Sequence, residues 1–524
     1  MYSDSTERRI SMKNIIGREI PEYIEGYGKV KPFEGAFATM GIRERKAVRS
    51  NTVAPNENKV LNSLEEAIEK VQLKDGMTIS FHHHLRNGDY VLNLVLQAIA
   101  KRGIRDITVA ASSIFPIHAP MVDLMLDGTV TGVYANYISG PVAEAISRGY
   151  LKKCAVMQTH GGRPRAIESG DLHIDVAFIA APTSDTYGNL NGVTGKSACG
   201  ALGYAVSDAE YADKVIAVTD NLVPYPACPI EISQIYVDYV VQIESIGNPA
   251  GIVSGTTKIT KDPVGLRIAK LTTEVMKASG LIKNGMSFQT GAGGTSLAVA
   301  AELKDIMKKD NIIGSFAAGG TTGYIVEMLE EGLFNSIFDV QCFDLKAVES
   351  YRENPKHQAM SASMYANPHN KGAVVNNLDI MILGATEIDL DFNVNVTTGS
   401  SGVIMGGSGG HSDTAAGSKL AIVVTNLVKA RLPITKEKVT TVTTPGESVD
   451  VLVTERGIAV NPRRTDLIEK LRETQLPVMT IEELKNLAEK MTGAPKQIQL
   501  SEDIVAVVEY RDGTVIDVVR KVID

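Results

Sequence analysis

Chemistry in this chain gathers where short apolar runs end in polar or glycine-rich turns. His82-His83-His84-Leu85-Arg86-Asn87 follows the run Met77 to Phe81. Successive side chains of an extended segment point to opposite faces, so the three histidines cannot share one metal ion, and no H-E-x-x-H spacing occurs. No metal site is expected. Cationic and polar groups in such a place suit a carboxylate-rich substrate, with Arg86 available for bidentate binding and Asn87 beside it. His160-Gly-Gly-Arg-Pro-Arg165 has the same character: its glycines permit close approach, and Arg163 and Arg165 add positive charge, unless they are a solvated surface pair. In the turn-rich segment Thr183 to Gly192, Asn189 and Asn191 are either substrate ligands or makers of Asx-turns.

Two glycine stretches have a different character. Gly291-Ala-Gly-Gly-Thr295 leads from an apolar run into a helical pattern, so the backbone N–H groups of Gly291, Gly293, Gly294 and Thr295 can face an anion or an oxyanion. Gly406 to Gly417 holds five glycines in twelve positions, together with His411 and Asp413. Gly407, Ser408, Gly409 and Gly410 suit a long phosphate- or pantetheine-like ligand. His411 and Asp413 have the chemistry to orient or protonate a reacting oxygen, or they form a plain hydrogen-bonded loop pair.

The elements that must position these residues occur twice. Lys283 to Ser296 repeats Lys74 to Asn87, Leu378 to Gly384 repeats Ile174 to Ala180, and Lys419 to Asn426 repeats Lys214 to Asn221, at offsets of 204 to 209 residues. A period this long marks a duplicated domain rather than a solenoid. In each half, short apolar runs alternate with helical patterns, which predicts an α/β fold with mainly parallel sheets covered by helices. The runs of the second half are Met286 to Thr290, Gly314 to Ala317, Ile337 to Asp339, Ile380 to Leu383, Gly402 to Met405 and Ala421 to Val424. Residues 1–55 read as an arm, 56–260 as the first domain, and 261–524 as the second with a β-rich tail. Pro249, Gly251, Gly255 and Asp262-Pro263 mark the boundary. The tail ends in a hairpin turning at Asp512-Gly513.

Hydrophobic content of 44% with 22% charged residues describes an ordinary globular chain, and no apolar run is long enough to span a membrane. The net charge of −8 without a basic stripe argues against nucleic acid as a partner. Four widely spaced cysteines and an N-terminus without an apolar core suggest a cytoplasmic protein with reduced thiols. No G-x-S-x-G, Walker lysine or Rossmann fingerprint is present.

At these residues the chain resembles the coenzyme A transferase superfamily, and within it the citrate lyase α subunits. The resemblance runs from Gly17 onward. It is carried by Phe81 to Asn87, His160-Gly-Gly-Arg-Pro-Arg-Ala-Ile-Glu168, Gly409-Gly-His-Ser-Asp-Thr-Ala-Ala-Gly417 and Val453-Thr-Glu-Arg-Gly-Ile-Ala459. It implies two tandem transferase-like domains with the active site between them, in an oligomeric assembly with a β (lyase) and a γ (acyl carrier) subunit. It implies that citrate displaces acetate from an acetyl thioester on the carrier, the thioester belonging to a CoA-derived group of that subunit, for which acetyl-CoA substitutes. No cofactor attached to this chain is implied. Ordinary members of the superfamily use a glutamate nucleophile in a G-x-x-T-E context. Here that context falls on Gly314 to Gly323 with Ala318 at the glutamate position, so no acyl-glutamyl intermediate forms there. The rival readings are a free-standing acyl-CoA:carboxylate transferase or acyl-CoA hydrolase using Glu327 or Glu387, and a non-catalytic scaffold.

Overall fold

The computed structural model describes residues 11–523 except 39–40, 42–43, 49–51, 254–257, 292 and 497, so Gly255 lies outside the described residues. Two large sheets form the molecule, one of ten strands and one of eight. In the first, the parallel strands Ala155–Met157, Val130–Ala135, Ile107–Ala111, Thr78–Phe81, Val176–Ala181, Lys214–Thr219 and Tyr239–Gln242 lie side by side in that order. In the second, His357–Ala359, Phe334–Cys342, Gly314–Thr321, Ser287–Thr290, Ile380–Gly384, Leu420–Val424 and Val451–Val453 take the same places. The repeat read from three sequence pairs is therefore a repeat of topology, strand for strand. Central strands such as Ile107–Ala111 are buried along their whole length, as parallel strands covered on both faces require.

Each half also carries a small three-stranded sheet, built on Thr183–Asp185 in the first and Glu387–Asp389 in the second. The run Gly402 to Met405, expected as a strand, is not one. Ile404 makes only an isolated bridge to Thr398, and its N–H is taken by Ser147 Oγ of the other half at 2.8 Å.

The terminal hairpin corrects the grouping by sequence order. Leu500–Glu509 and Val515–Val522 pair with each other, and the first of them joins Ala155–Met157 in parallel, so the end of the chain completes the first half's sheet. The physical reason is that Ala155–Met157 would otherwise offer an open edge. The N-terminal arm packs on this hairpin, where Ile20, Ile24 and Val30 cluster with Val507, Val515 and Val518. No helix among the described residues is long and apolar enough to cross a membrane.

Candidate active site between the two halves

Strand Thr78–Phe81 ends at the junction of the halves, and the histidines follow directly. Gln341 Nε2 of the second half donates to the His83 carbonyl at 2.8 Å, and His84 Nε2 accepts the Tyr204 N–H at 3.2 Å. His83, His160 and Tyr204 form a ring cluster: His83 to Tyr204 4.4 Å, His160 to Tyr204 4.6 Å, His83 to His160 5.7 Å between centroids. Arg86 lies beside it. Its guanidinium sits 5.5 Å from the centre of the Phe115 ring and 4.6 Å from that of Phe343, one aromatic from each half. Among the described residues no carboxylate pairs with it. An unpaired, part-buried cation held between aromatic rings is a site prepared for an anion.

The second half supplies the floor. Ala318 packs in one cluster with Tyr204, Tyr365 and Val340, which makes this surface apolar. A Cβ at Gly320 would overlap the Phe343 ring, and one at Gly319, whose φ is +104°, would overlap Gln289. These two glycines let Phe343 and Gln289 close on the site. Gln289 Nε2 donates to the Tyr365 hydroxyl at 2.7 Å, linking the second strand end to Tyr204 through Tyr365.

Burial sets the ionisation. It pushes the pKa of His160 down to about 3 and of His82 to about 4, and holds His83 and His84 well below the usual histidine range, with Arg86 and Arg163 adding to the effect at His83 and His160. The rings are neutral at pH 7. Burial also raises Tyr204 well above its ordinary value, so its hydroxyl keeps its proton. His82 lies behind the site; both of its ring nitrogens are buried without a partner, as is Arg163 Nε.

Several expected ligands are committed elsewhere. Arg163 is buried and donates to both oxygens of Asp208, at 2.7 and 2.9 Å, and to the Ala110 carbonyl at 3.0 Å. Arg165 pairs with Asp171 at 2.6 Å and lies 4.0 Å from Glu509. Both helix-borne cations are committed to carboxylates, Arg163 to the buried Asp208 and Arg165 to Asp171 at the surface. Asn189 donates to Asp185 and Gln234 at 2.7 and 2.8 Å. Its counterpart Asn393 bonds Asp389 at 3.2 Å in the same way, so the pair is loop scaffolding repeated in both halves. Asn87 is exposed, and its side-chain Oδ1 accepts the Ile117 N–H at 3.0 Å.

The second glycine loop is likewise structural. His160 N–H donates to the Gly409 carbonyl at 2.8 Å, Gly409 N–H to the Asn136 carbonyl at 3.1 Å, and Ile138 N–H to the Gly406 carbonyl at 3.0 Å. Side chains at Gly406 or Gly407 would strike the Val396 or Asn136 carbonyl, and one at Gly410 the Tyr365 hydroxyl. Ser408 Oγ donates to Ser412 Oγ at 3.0 Å. The loop joins the halves, and at Gly409 it abuts His160, whose Nε2 lies 3.3 Å from where a Cβ would stand. Asp413 accepts from Thr159 Oγ1 and Gly161 N–H, both at 2.9 Å, and burial raises its pKa to about 6. His411 spends one ring nitrogen on Thr444 Oγ1 at 2.7 Å and the other on the Gly384 carbonyl at 2.8 Å. Asp413 clamps one half to the other.

Gly291 and Gly293 lie open past the end of strand Ser287–Thr290, whereas a Cβ at Gly294 would meet the Lys258 carbonyl at 2.9 Å; Ala292 lies outside the described residues. Helix Gly294–Lys309 starts at Gly293 without a side-chain cap or an acidic residue in its first turn. A Cβ at Gly291 or Gly293 would meet nothing closer than 3.7 Å. Two histidine-containing acidic groups converge elsewhere. Asp339 Oδ2 receives His357 Nε2 and Cys342 Sγ, each at 3.1 Å, a buried network satisfied by hydrogen bonds, and His173, Asp175 and Asp213 meet near the surface.

The family model for the citrate lyase α subunit matches residues 57–522. The chain belongs to that family. It is 51% identical over 468 residues to the citrate lyase α chain of Haemophilus influenzae, covering 89% of this chain and 94% of that one. The α chain of Klebsiella pneumoniae is 48% identical over 482 residues, with 92% and 95% covered. A solved structure described as a citrate lyase α subunit in complex with citrate, from Streptococcus mutans, superposes with a TM-score of 0.94 at 50% identity, covering 98% of this chain and 100% of that one. A Pseudomonas malonate decarboxylase, with a TM-score of 0.60 at 16% identity, shares the fold. Arg86 and the histidines lie at a strand end, as the sequence predicts. Tyr204, Phe115, Phe343 and Tyr365 are scattered in sequence and lie outside any motif; His160, which opens the segment His160 to Glu168, is the one sequence signal that leads to them.

Proposed function

We propose that this chain is the acyl-exchanging subunit of its complex: a citrate carboxylate displaces acetate from an acetyl thioester carried by the γ subunit, giving citryl carrier protein and acetate. The β subunit then cleaves the citryl group. The observation that carries this reading is Arg86, a cation without a carboxylate partner, bracketed by Phe115 and Phe343 beside neutral histidines. The citrate present in the Streptococcus mutans structure supports it.

In this reading Arg86 holds one carboxylate of citrate, and His83 and Tyr204 donate to others. A free carboxylate oxygen attacks the thioester carbonyl carbon, the C–S bond breaks, and the thiolate leaves a citryl–acetyl anhydride. The thiolate then attacks the citryl carbonyl and acetate departs, so no proton is consumed. The chain's contribution is chiefly positioning, a source of on the order of 7–11 kcal/mol in favourable cases. The uncapped start of helix Gly294–Lys309 is where the thioester arm approaches, its N–H groups serving phosphate or oxyanion.

The rival glutamate nucleophiles fit poorly. Glu387 is buried and held by Lys436, Asn395 and Thr440, with its pKa lowered despite burial by those partners. Glu327 lies on an outward helix among Lys304 and Lys346. Purified chain given acetyl-CoA and citrate is expected to release acetate and form citryl-CoA, and hydroxylamine or borohydride to trap no acyl-enzyme. No acetate release, or a trapped glutamyl adduct, would overturn the proposal.

A further inference from the structure

The two histidines facing the site are opposite in hydrogen-bonding sense. Ser112 Oγ accepts the His83 backbone N–H at 3.0 Å and lies 2.5 Å from His83 Nδ1. Among the described residues no other acceptor is bonded to that hydroxyl, so its proton goes to Nδ1, and His83 carries its own proton on Nε2. At His160 the order is reversed. The Asn136 amide is fixed because its Nδ2 donates to the Thr159 carbonyl at 2.8 Å, which turns Oδ1 toward His160 Nδ1 at 3.4 Å. Nδ1 therefore bears the proton, and Nε2 keeps its lone pair.

The rings are nearly parallel, 14° apart, and their Nδ1 atoms are anchored on adjacent strand ends, where Asn136 N–H donates to the Ser112 carbonyl at 3.1 Å. In both rings Nε2 is the nitrogen that these anchors leave free. Neither has a protein partner among the described residues, and neither is sealed from solvent. The burial that keeps His160 neutral preserves its lone pair at pH 7, even beside Arg86.

The site thus offers donors from Arg86, His83 Nε2 and the Tyr204 hydroxyl, and His160 Nε2 as an acceptor; the other unpartnered acceptor beside it, Gln289 Oε1, is buried. A fully ionised tricarboxylate has only acceptors among its carboxylates and would leave that lone pair unmatched. Citrate differs in bringing one donor, its tertiary hydroxyl. Building on the citrate reading above, we propose that His160 Nε2 accepts the hydrogen bond of the citrate hydroxyl and is the residue that selects a hydroxyl-bearing tricarboxylate over its deoxy analogue. A polar site built to pair a substrate hydroxyl is left with an unmatched group when that hydroxyl is missing, which is why such sites discriminate strongly.

The test compares citrate with tricarballylate, which has the same three carboxylates and hydrogen in place of the hydroxyl. Calorimetry on the wild-type chain is expected to give a dissociation constant about 10- to 100-fold lower for citrate. Equal affinities overturn the assignment regardless of any variant. In His160→Phe, which retains a ring against Tyr204, the preference should fall to within about threefold while tricarballylate binding is nearly unchanged. In Asn136→Leu, which frees the His160 tautomer without touching substrate, the preference should also shrink. Asn136→Asp should retain it. A folded His160→Phe chain that keeps the full preference overturns the assignment. Failure of the wild-type chain to turn over citrate at all strikes the transferase reading instead.

Discussion

The duplication makes two strand ends equivalent, and they have become opposites. After Thr78–Phe81 the chain runs into buried histidines and Arg86, each ring fixed by a partner or a neighbour. After Ser287–Thr290 it runs into Gly291 and Gly293, with open space around them, and a bare helix start. One of the two equivalent positions is filled with polar side chains and its twin is open. In the function proposed here the filled end grips the acid and the empty end admits the thioester, so an unsymmetrical reaction is fitted to a symmetrical frame.

A second contrast lies within the filled end itself, between a sealed arginine and a free one, and it gives the largest expected effect. Arg163→Ala leaves Asp208 charged and buried without its partner, which should cost about 3–5 kcal/mol of stability, read as a drop in melting temperature or in the denaturation midpoint. Unchanged stability would mean that this arginine does not neutralise Asp208. Arg86→Ala should leave melting nearly intact and weaken citrate binding and turnover about 100-fold, with acetyl-CoA binding retained. Equal losses for both ligands would erase the division between the strand ends.

Asp413→Asn sharpens the role of the clamp. The folded pKa of about 6 lies above the ordinary value of 3.8, so the carboxyl's contribution is complete below pH 3.8 and is lost as pH rises through 6. The stability of the wild-type chain relative to Asp413→Asn should therefore fall, by on the order of 2 kcal/mol, between pH 4 and pH 7.5. A difference that stays flat across this range would show that the carboxyl titrates normally. The smallest effect is expected at the open end. Gly293→Ala meets no neighbour and should alter stability by less than about 1 kcal/mol, while raising the KM for acetyl-CoA more than that for citrate.

The doubled α/β architecture was legible because strand periodicity and order are written locally and appear twice. The position of Arg86 and the histidines at a strand end was legible because they directly follow an apolar run. Arg163, Arg165 and Asn189 misled for a common reason: their partners Asp208, Asp171 and Asp185 carry no mark in sequence that distinguishes an internal ion pair or turn from a ligand site. The glycines at 406 to 410 misled because glycine serves backbone approaching backbone as readily as backbone approaching ligand, and only the carbonyls of Asn136 and Val396 decide which. Tyr204 and Phe343 could not be found at all, since their importance comes from which half they face.

The closing hairpin has a consequence for biosynthesis. Gln158 and Glu509, joined across the seam by a 3.0 Å hydrogen bond, are 351 residues apart. At ribosomal rates of about 5–20 residues per second, roughly 20 to 70 seconds separate their emergence. Throughout that interval the nascent first half exposes the unpaired side of Ala155–Met157, a surface on which neighbouring nascent chains on a polysome can add a strand.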